Sequence, residues 1–169
     1  NNTSLHTRRD ENTRRKVKTM STRFETYVFH LNMSTKLLRL FWKDIRRTVL
    51  DDILNDFRFE DPVKERCFRS SIESVQDHTE SLGNLVYYYF LGECDKEGVD
   101  SDGLDAKDTV EDVFDEALSA RLSFTIIKEV LGSIPMENEE EANSVADLQV
   151  TIYDILLHIM KISSGYLQS

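Results

Sequence analysis

The segment "VADLQVTIYDILLHIMKI", residues 145–162, places apolar side chains at alternating steps of three and four along the chain. Such steps return to the same side of an α-helix, so the segment predicts a long helix with one buried face. The predicted core positions are Val145, Leu148, Ile152, Ile155, Ile159 and Ile162. The carboxylates of "MENEEEA", just before it, suit the positive end of a helix dipole. We therefore predict a helix over about 137–163.

Three further segments carry the same pattern and predict helices over about 16–58, 62–91 and 106–131. Asp61-Pro62 is a favourable helix start, since proline is tolerated in a first turn. Gly132 and Pro135 are suited to end the third helix. The connections before Pro62 and around "GSIP" are short, so the helices that they join are expected to be antiparallel. The predicted fold is an all-α, up-down-up-down four-helix bundle.

The 169 residues fit one domain, predicted at 16–164, preceded by a flexible basic segment at 1–15 and interrupted by an acidic loop at 92–105. The first helix is longer than the other three, so its apolar segment 17–31 is expected to overhang the bundle. Two alternatives follow. The chain bends at "NMST", residues 32–35, and forms a short fifth helix, or residues 17–31 pack against a second copy in a homodimer.

The charge and hydropathy of the chain restrict its partners. The formal net charge is −10, which disfavours nucleic acid because phosphate binding needs concentrated lysine and arginine. No uninterrupted apolar run is long enough to cross a bilayer, so no membrane span is predicted. The expected partner is therefore another protein.

Catalytic motifs are absent from the sequence, and we expect neither an enzyme nor a cofactor. There is no nucleophile elbow, P-loop, dinucleotide-binding glycine motif or zinc-protease motif. Asp154 and His158 lie one helical turn apart but lack further inward-facing acids to complete a metal site. The acidic stretch from Asp100 does not match the calcium-loop pattern, because Leu104 occupies the fifth position. No metal is predicted.

Three glycosylation tripeptides begin at Asn1, Asn2 and Asn32, and they favour a secreted protein. The two cysteines, Cys67 and Cys94, are the disulfide candidate. An unbroken second helix would hold them about 40 Å apart. A bridge therefore requires a helix broken at Gly83, or a loop that returns along the bundle.

Two aromatic stretches, "YYYF" at 87–90 and "LLRLFW" at 37–42, are either core or partner surface. Six aromatic residues form the partner-surface candidate, since such side chains are enriched at interfaces. They are Tyr87, Tyr88, Phe90, Phe24, Tyr27 and Trp42. The core alternative places "YYYF" over residues 24–31 as the cap of the bundle.

These features together favour a secreted, non-catalytic helical protein, an effector or cytokine-like ligand, that binds a receptor or host protein. The predicted architecture is similar in fold class to secreted four-helix cytokines, although no motif supports that likeness. Two alternatives are an intracellular helical adaptor that oligomerises and a carrier of an apolar ligand such as a lipid.

Overall fold

The computed structural model describes residues 2–91 and 104–169, with side chains described for 22–88, 90 and 106–169. Helices account for nearly all of these residues, and no strand occurs among them. The α-helices are α1 (Asn2–Ile45), α2 (Asp51–Asp56), α3 (Pro62–Asn84), α4 (Leu104–Gly132) and α5 (Glu139–Gln168). Two π-helical segments follow α1 and α3 directly, the first at Arg46–Leu50 and the second at Leu85–Leu91.

The start of α3 confirms a sequence signal, and α5 begins with a cap that was not predicted. Asp61 caps α3, since its Oδ1 accepts a hydrogen bond from the Val63 backbone N–H at 2.9 Å and Pro62 follows as the first helical residue. Asn138 caps α5 in the same way, accepting from the Glu141 backbone N–H at 2.7 Å. These side chains satisfy amide groups that a helix start otherwise leaves unpaired.

Four long helices pack against each other around one hydrophobic core. The closely packed pairs are α3 with α4, α4 with α5 and α5 with α1, whereas α1 and α3 approach each other at fewer places. The centre is formed by large apolar side chains with almost no exposure. They include Leu31, Leu38, Ile45, Phe68, Leu82, Phe124, Ile127, Ile152, Leu156 and Ile159.

Polar contacts between helices accompany the apolar core. His78 Nδ1 on α3 lies 2.5 Å from Glu116 Oε2 on α4. The Ser74 and Ser123 hydroxyls, on the same two helices, are 2.7 Å apart. Pairs of this kind fix the axial register of α3 against α4, because each needs both partners at one height.

The first helix differs from its predicted form. It passes through 32–35 without a bend, and Ser34 and Thr35 are buried inside it. It also begins at Asn2, earlier than the predicted start near 16, so residues 2–15 are helical. The expected fifth helix at "NMST" is therefore not formed.

The apolar overhang of α1 is covered because α5 is longer than predicted. The Tyr27 and Tyr166 rings stack with centroids 5.1 Å apart, and Arg23 Nη2 donates to the Tyr166 carbonyl oxygen at 3.0 Å. Tyr166 lies beyond the predicted end of the helix at 163. The extra turn of α5 packs on Phe24 and Tyr27, which belong to the predicted overhang of α1.

The second half of the 62–91 helix is continuous, and Gly83 does not end it. A Cβ placed on Gly83 would lie 3.6 Å from Arg39 Nη1, an ordinary contact, so the position does not require glycine for space. The chain passes from α3 directly into the second π-helical segment. Val86 and Phe90 of this segment are both buried, as residues four apart on one side of a helix.

Candidate protein-binding site

A cleft of about 620 Å³ lies where α1 and α3 are held apart. Side chains from α1, the first π-helical segment, α2 and α3 line it. They are Lys36, Arg39, Leu40, Trp42, Lys43, Arg46, Arg47, Asp51, Gln76, Thr79 and Glu80. Five of these are cationic and two are acidic, so this basic cleft is positively charged on a chain whose net charge is −10.

Gln76 organises the wall of the basic cleft. Its Oε1 accepts from Trp42 Nε1 at 2.7 Å and from Arg46 Nη1 at 3.2 Å. Its Nε2 donates to Glu80 Oε1 at 2.7 Å. The amide is therefore fixed in one orientation and joins α1 to α3 across the cleft.

Two polar atoms of the basic cleft lack a hydrogen-bond partner although both are buried. They are Arg46 Nε and Thr79 Oγ1. Arg46 is held on its other side by Gln76 and by Asp51, whose Oδ1 lies 3.4 Å from Arg46 Nη2. Buried polar groups are usually paired, because an unpaired one costs about 1–3 kcal/mol. Both atoms are therefore buried polar groups that no residue in the described part of the chain satisfies.

The other four cations of the basic cleft are Lys36, Arg39, Lys43 and Arg47. None forms an ion pair with a residue in the described part of the chain. Their spacing of three and four residues places them along one side of α1 and its π-helical extension. Positive side chains gathered in a concave surface raise the local concentration of anions.

An apolar strip follows the solvent side of α1 next to the basic cleft. It consists of Phe29, Met33, Leu37 and Leu40, which are 62 %, 49 %, 44 % and 61 % exposed. The steps of four, four and three keep the strip on one face of the helix, opposite the core. Leu40 also lines the basic cleft, so the two surfaces are continuous.

The structure divides the six aromatic residues proposed as partner surface. Phe24, Tyr27, Trp42 and Phe90 are buried in the core, which removes them from the exposed surface. The Phe90 ring centroid lies 5.8 Å from that of Phe24 and 5.9 Å from that of Tyr27. The core alternative therefore applies to these four. Phe90 covers part of residues 24–31, whereas Trp42 packs against Phe124.

Tyr87 and Tyr88 are the two exposed members of that set. They are 65 % and 66 % exposed, and their rings contact each other edge to face at 5.0 Å. The neighbouring Tyr89 side chain lies outside the described residues. The pair is separate from the strip and is not among the residues that line the basic cleft.

The remaining predicted sites are only partly within the described residues. Cys67 is exposed on α3 with a free thiol, whereas Cys94 and the acidic residues 92–103 lie outside the description. Asn32 is half-buried on α1, and its carbonyl oxygen accepts from Thr35 Oγ1 at 3.0 Å. Asn1 and the side chain of Asn2 also lie outside.

Sequence reasoning missed the strip and the basic cleft for different reasons. The strip is a second apolar series on a helix whose first series already explained the core, and "LLRLFW" was its visible part. The cations at 36, 39, 43 and 47 resemble an ordinary solvated helix face. Only the separation of α1 from α3 makes them the lining of a cleft.

Within residues 2–91 and 104–169, no group of three or more histidine, cysteine, aspartate or glutamate side chains is placed to hold a metal ion. Among the same residues, none of the helices has the combined length and apolar character needed to cross a bilayer. Comparison of the chain with protein-family models, curated proteins and solved structures found no significant match.

Proposed function

We propose that the chain is a non-catalytic helical interaction protein that binds another protein through the apolar strip and the basic cleft. The fold that presents them is proposed to be an up-down-up-down bundle. Two contacts between α1 and the 62–91 helix support the antiparallel direction of these two helices. Trp42 contacts Gln76 while the earlier residue Phe24 contacts the later residue Phe90, as in antiparallel helices.

The observation that carries the proposal is the position of four large exposed apolar side chains beside a cleft. Contiguous exposed apolar surface of this kind marks interaction sites in soluble proteins. Binding surfaces usually combine an apolar centre with a polar rim. The strip supplies the apolar centre, and the cations along its edge supply the polar rim.

The buried apolar residues within 24–31 are a weaker dimer surface than the sequence indicates for residues 17–31. Phe24, Tyr27, Val28 and Leu31 are buried by α5 and the second π-helical segment of the same chain. Their apolar area is already removed from water, so they offer little additional hydrophobic gain to a second copy. Sedimentation of the purified chain at rising concentration measures self-association through the strip.

The proposal is tested by site-specific photo-crosslinking in the native fluid or extract. A photoreactive residue at Leu37 is expected to form one dominant adduct with a protein. The same residue at Val150, which is 55 % exposed on α5, is the matched control and is expected to form none. Unlabelled wild-type chain should compete for the adduct, whereas a Leu37→Ser/Leu40→Ser variant of unchanged helicity should compete at least about tenfold less well. Equal labelling at both positions, or equal competition, contradicts the proposal.

We also propose that the protein is secreted, on the strength of the three glycosylation tripeptides and the even number of cysteines. Asn32 and Lys36 are four residues apart and therefore share one side of α1. A glycan on Asn32 would consequently border the basic cleft and restrict access to it. An intracellular adaptor is the alternative.

The mass of the protein from its native source, before and after reduction, decides between these compartments. Peptide mapping of Cys67, Cys94 and Asn32 identifies the modified residues. A glycan on Asn32 is the expected result and supports secretion. The continuous helix from Pro62 to Leu91 holds Cys67 about 35 Å from Leu91, and the three residues that follow span at most about 11 Å, so no Cys67–Cys94 bridge within one chain is expected. Two free thiols with an unmodified Asn32 would contradict secretion and favour the adaptor.

A further inference from the structure

We infer that the basic cleft recognises carboxylates, and that the partner presents them on an acidic amphipathic helix lying along α1. This inference rests on the proposed function and specifies the chemistry of the partner. The apolar side of the helix would cover the strip, and its acidic side would enter the cleft. Helix-in-groove binding of this kind uses apolar anchors at steps of three and four.

The first argument is charge complementarity. Lys36, Arg39, Lys43 and Arg47 line the basic cleft without ion pairs in the described part of the chain. The chain as a whole carries −10, so its overall charge does not account for a local excess of cations. An anionic partner would be attracted to this cleft and repelled by most of the remaining surface.

The second argument concerns the two unpaired donors. Thr79 is only 3 % exposed, and its hydroxyl has no partner although it lines the cleft. Arg46 Nε is buried and unpaired in the same cleft. A carboxylate is a pure acceptor and can receive hydrogen bonds at both oxygens. A carboxylate of the partner receives both hydrogen bonds only if the Arg46 and Thr79 side chains turn toward it, because neither atom is accessible to solvent in the free protein.

The shape of the site favours a helix over a bilayer or a duplex. The strip extends from Phe29 to Leu40, which is about 16 Å or three helical turns. The cations line a concave surface whose wall includes Gln76 and Thr79 from α3. A flat bilayer cannot reach these residues, and a nucleic-acid duplex would be repelled by the net charge.

The test uses a designed helical peptide of about five turns. Its leucines repeat at steps of four, four and three, and glutamates follow on one flank. The control peptide carries glutamine at every glutamate position. Trp42 is the sole tryptophan and lines the basic cleft, so its fluorescence reports occupancy directly. We expect the acidic peptide to bind at least about tenfold more tightly than the control and to weaken as salt is raised.

Two double variants of the protein test whether the preference for the acidic peptide depends on the cations of the basic cleft. Lys43→Glu/Arg47→Glu should weaken binding of the acidic peptide about tenfold or more. Each exposed cation contributes a few-fold to the affinity, and the double variant loses both contributions. Lys107→Glu/Lys161→Glu makes the same charge change at exposed positions on α4 and α5 and should leave affinity within about twofold. Anionic vesicles and duplex DNA are titrated in parallel.

Thr79→Val separates recognition from folding. The substitution removes an unpaired buried hydroxyl at nearly constant shape, so the free protein should be as stable as wild type or more stable. Binding of the acidic peptide should nevertheless weaken about tenfold, because a hydrogen bond to a charged group is lost. A structural role alone would change stability and leave the affinity unaltered.

Three results would overturn the inference. They are equal affinity for the glutamate and glutamine peptides, binding of neither peptide, and binding of vesicles or DNA in preference to the acidic peptide. Each leaves the proposed function open to its own test, because crosslinking from Leu37 depends on the strip and on no assumption about charge. Loss of the Leu37 adduct, by contrast, removes both.

Discussion

Replacing Phe90 by alanine is expected to lower the free energy of unfolding by about 3–5 kcal/mol, the usual cost of removing a buried phenylalanine. Phe90 is 1 % exposed and packs against Phe24 and Tyr27 of α1. Its removal would leave a cavity where the second π-helical segment meets α1. Since a domain is stable by only about 5–15 kcal/mol, the loss would be a large part of the total.

Tyr88→Ala is the matched control for this substitution. Tyr88 lies two residues away in the same π-helical segment but is 66 % exposed. Its replacement is expected to change stability by no more than about 0.5 kcal/mol. Urea unfolding followed by circular dichroism measures both variants. Similar losses for the two would contradict the placement of Phe90 inside and Tyr88 outside.

Raising the pH above about 10 is expected to destabilise the protein through Tyr27, which is 5 % exposed. Burial raises the pKa of Tyr27 well above the usual value for tyrosine. The hydrogen bond shared with Ser163, at 2.7 Å, opposes this shift, and the nearby Tyr166 adds to it. The folded protein therefore keeps the phenolic proton at a pH where the unfolded chain releases it.

The direction of the effect follows from proton binding. Below about pH 10 both states hold the proton, and the contribution of Tyr27 is fully present. Above that pH the unfolded state binds fewer protons, so stability falls by up to about 1.4 kcal/mol per pH unit from this residue alone. The loss ends only when the pH has passed the pKa of the folded state.

Tyr27→Phe isolates this contribution, because phenylalanine has no proton to release. Near neutral pH the variant should be about 1 kcal/mol less stable than wild type, since the bond to Ser163 is lost. As the pH rises above about 10, its stability should fall less steeply, and the two curves should converge. Urea unfolding at a series of pH values gives both curves. Parallel curves would show that Tyr27 ionises equally in the folded and unfolded states.

The sequence was informative wherever one helix face decides burial. The series from Val145 to Ile162 predicted α5. Three of its members, Val145, Ile152 and Ile159, are buried, and the other three, Leu148, Ile155 and Ile162, are partly buried against the same core. Capping side chains predicted the start of α3, because a local hydrogen bond determines that boundary. The register within the π-helical segments was not predictable in this way, since their wider turns depend on packing against other helices.

The candidate site shows the opposite case. The cations and the apolar strip are both visible in residues 29–47, but neither differs in sequence from an ordinary exposed helix face. Their meaning depends on the distance between α1 and α3, which Gln76 bridges through Trp42 and Arg46. Contacts between residues about thirty positions apart are decided by packing, and no local pattern encodes them.

By itself, the sequence determined that the chain is helical, where most helices begin and end, and which face of each is apolar. These properties follow from hydrogen bonds and side-chain periodicity within a few residues. The tertiary structure alone decided that α1 continues without a bend, that Phe90 is core while Tyr87 and Tyr88 are surface, and that α1 and α3 enclose a basic cleft. These depend on how long helices fit together, because close packing selects one arrangement from many that share the same local pattern.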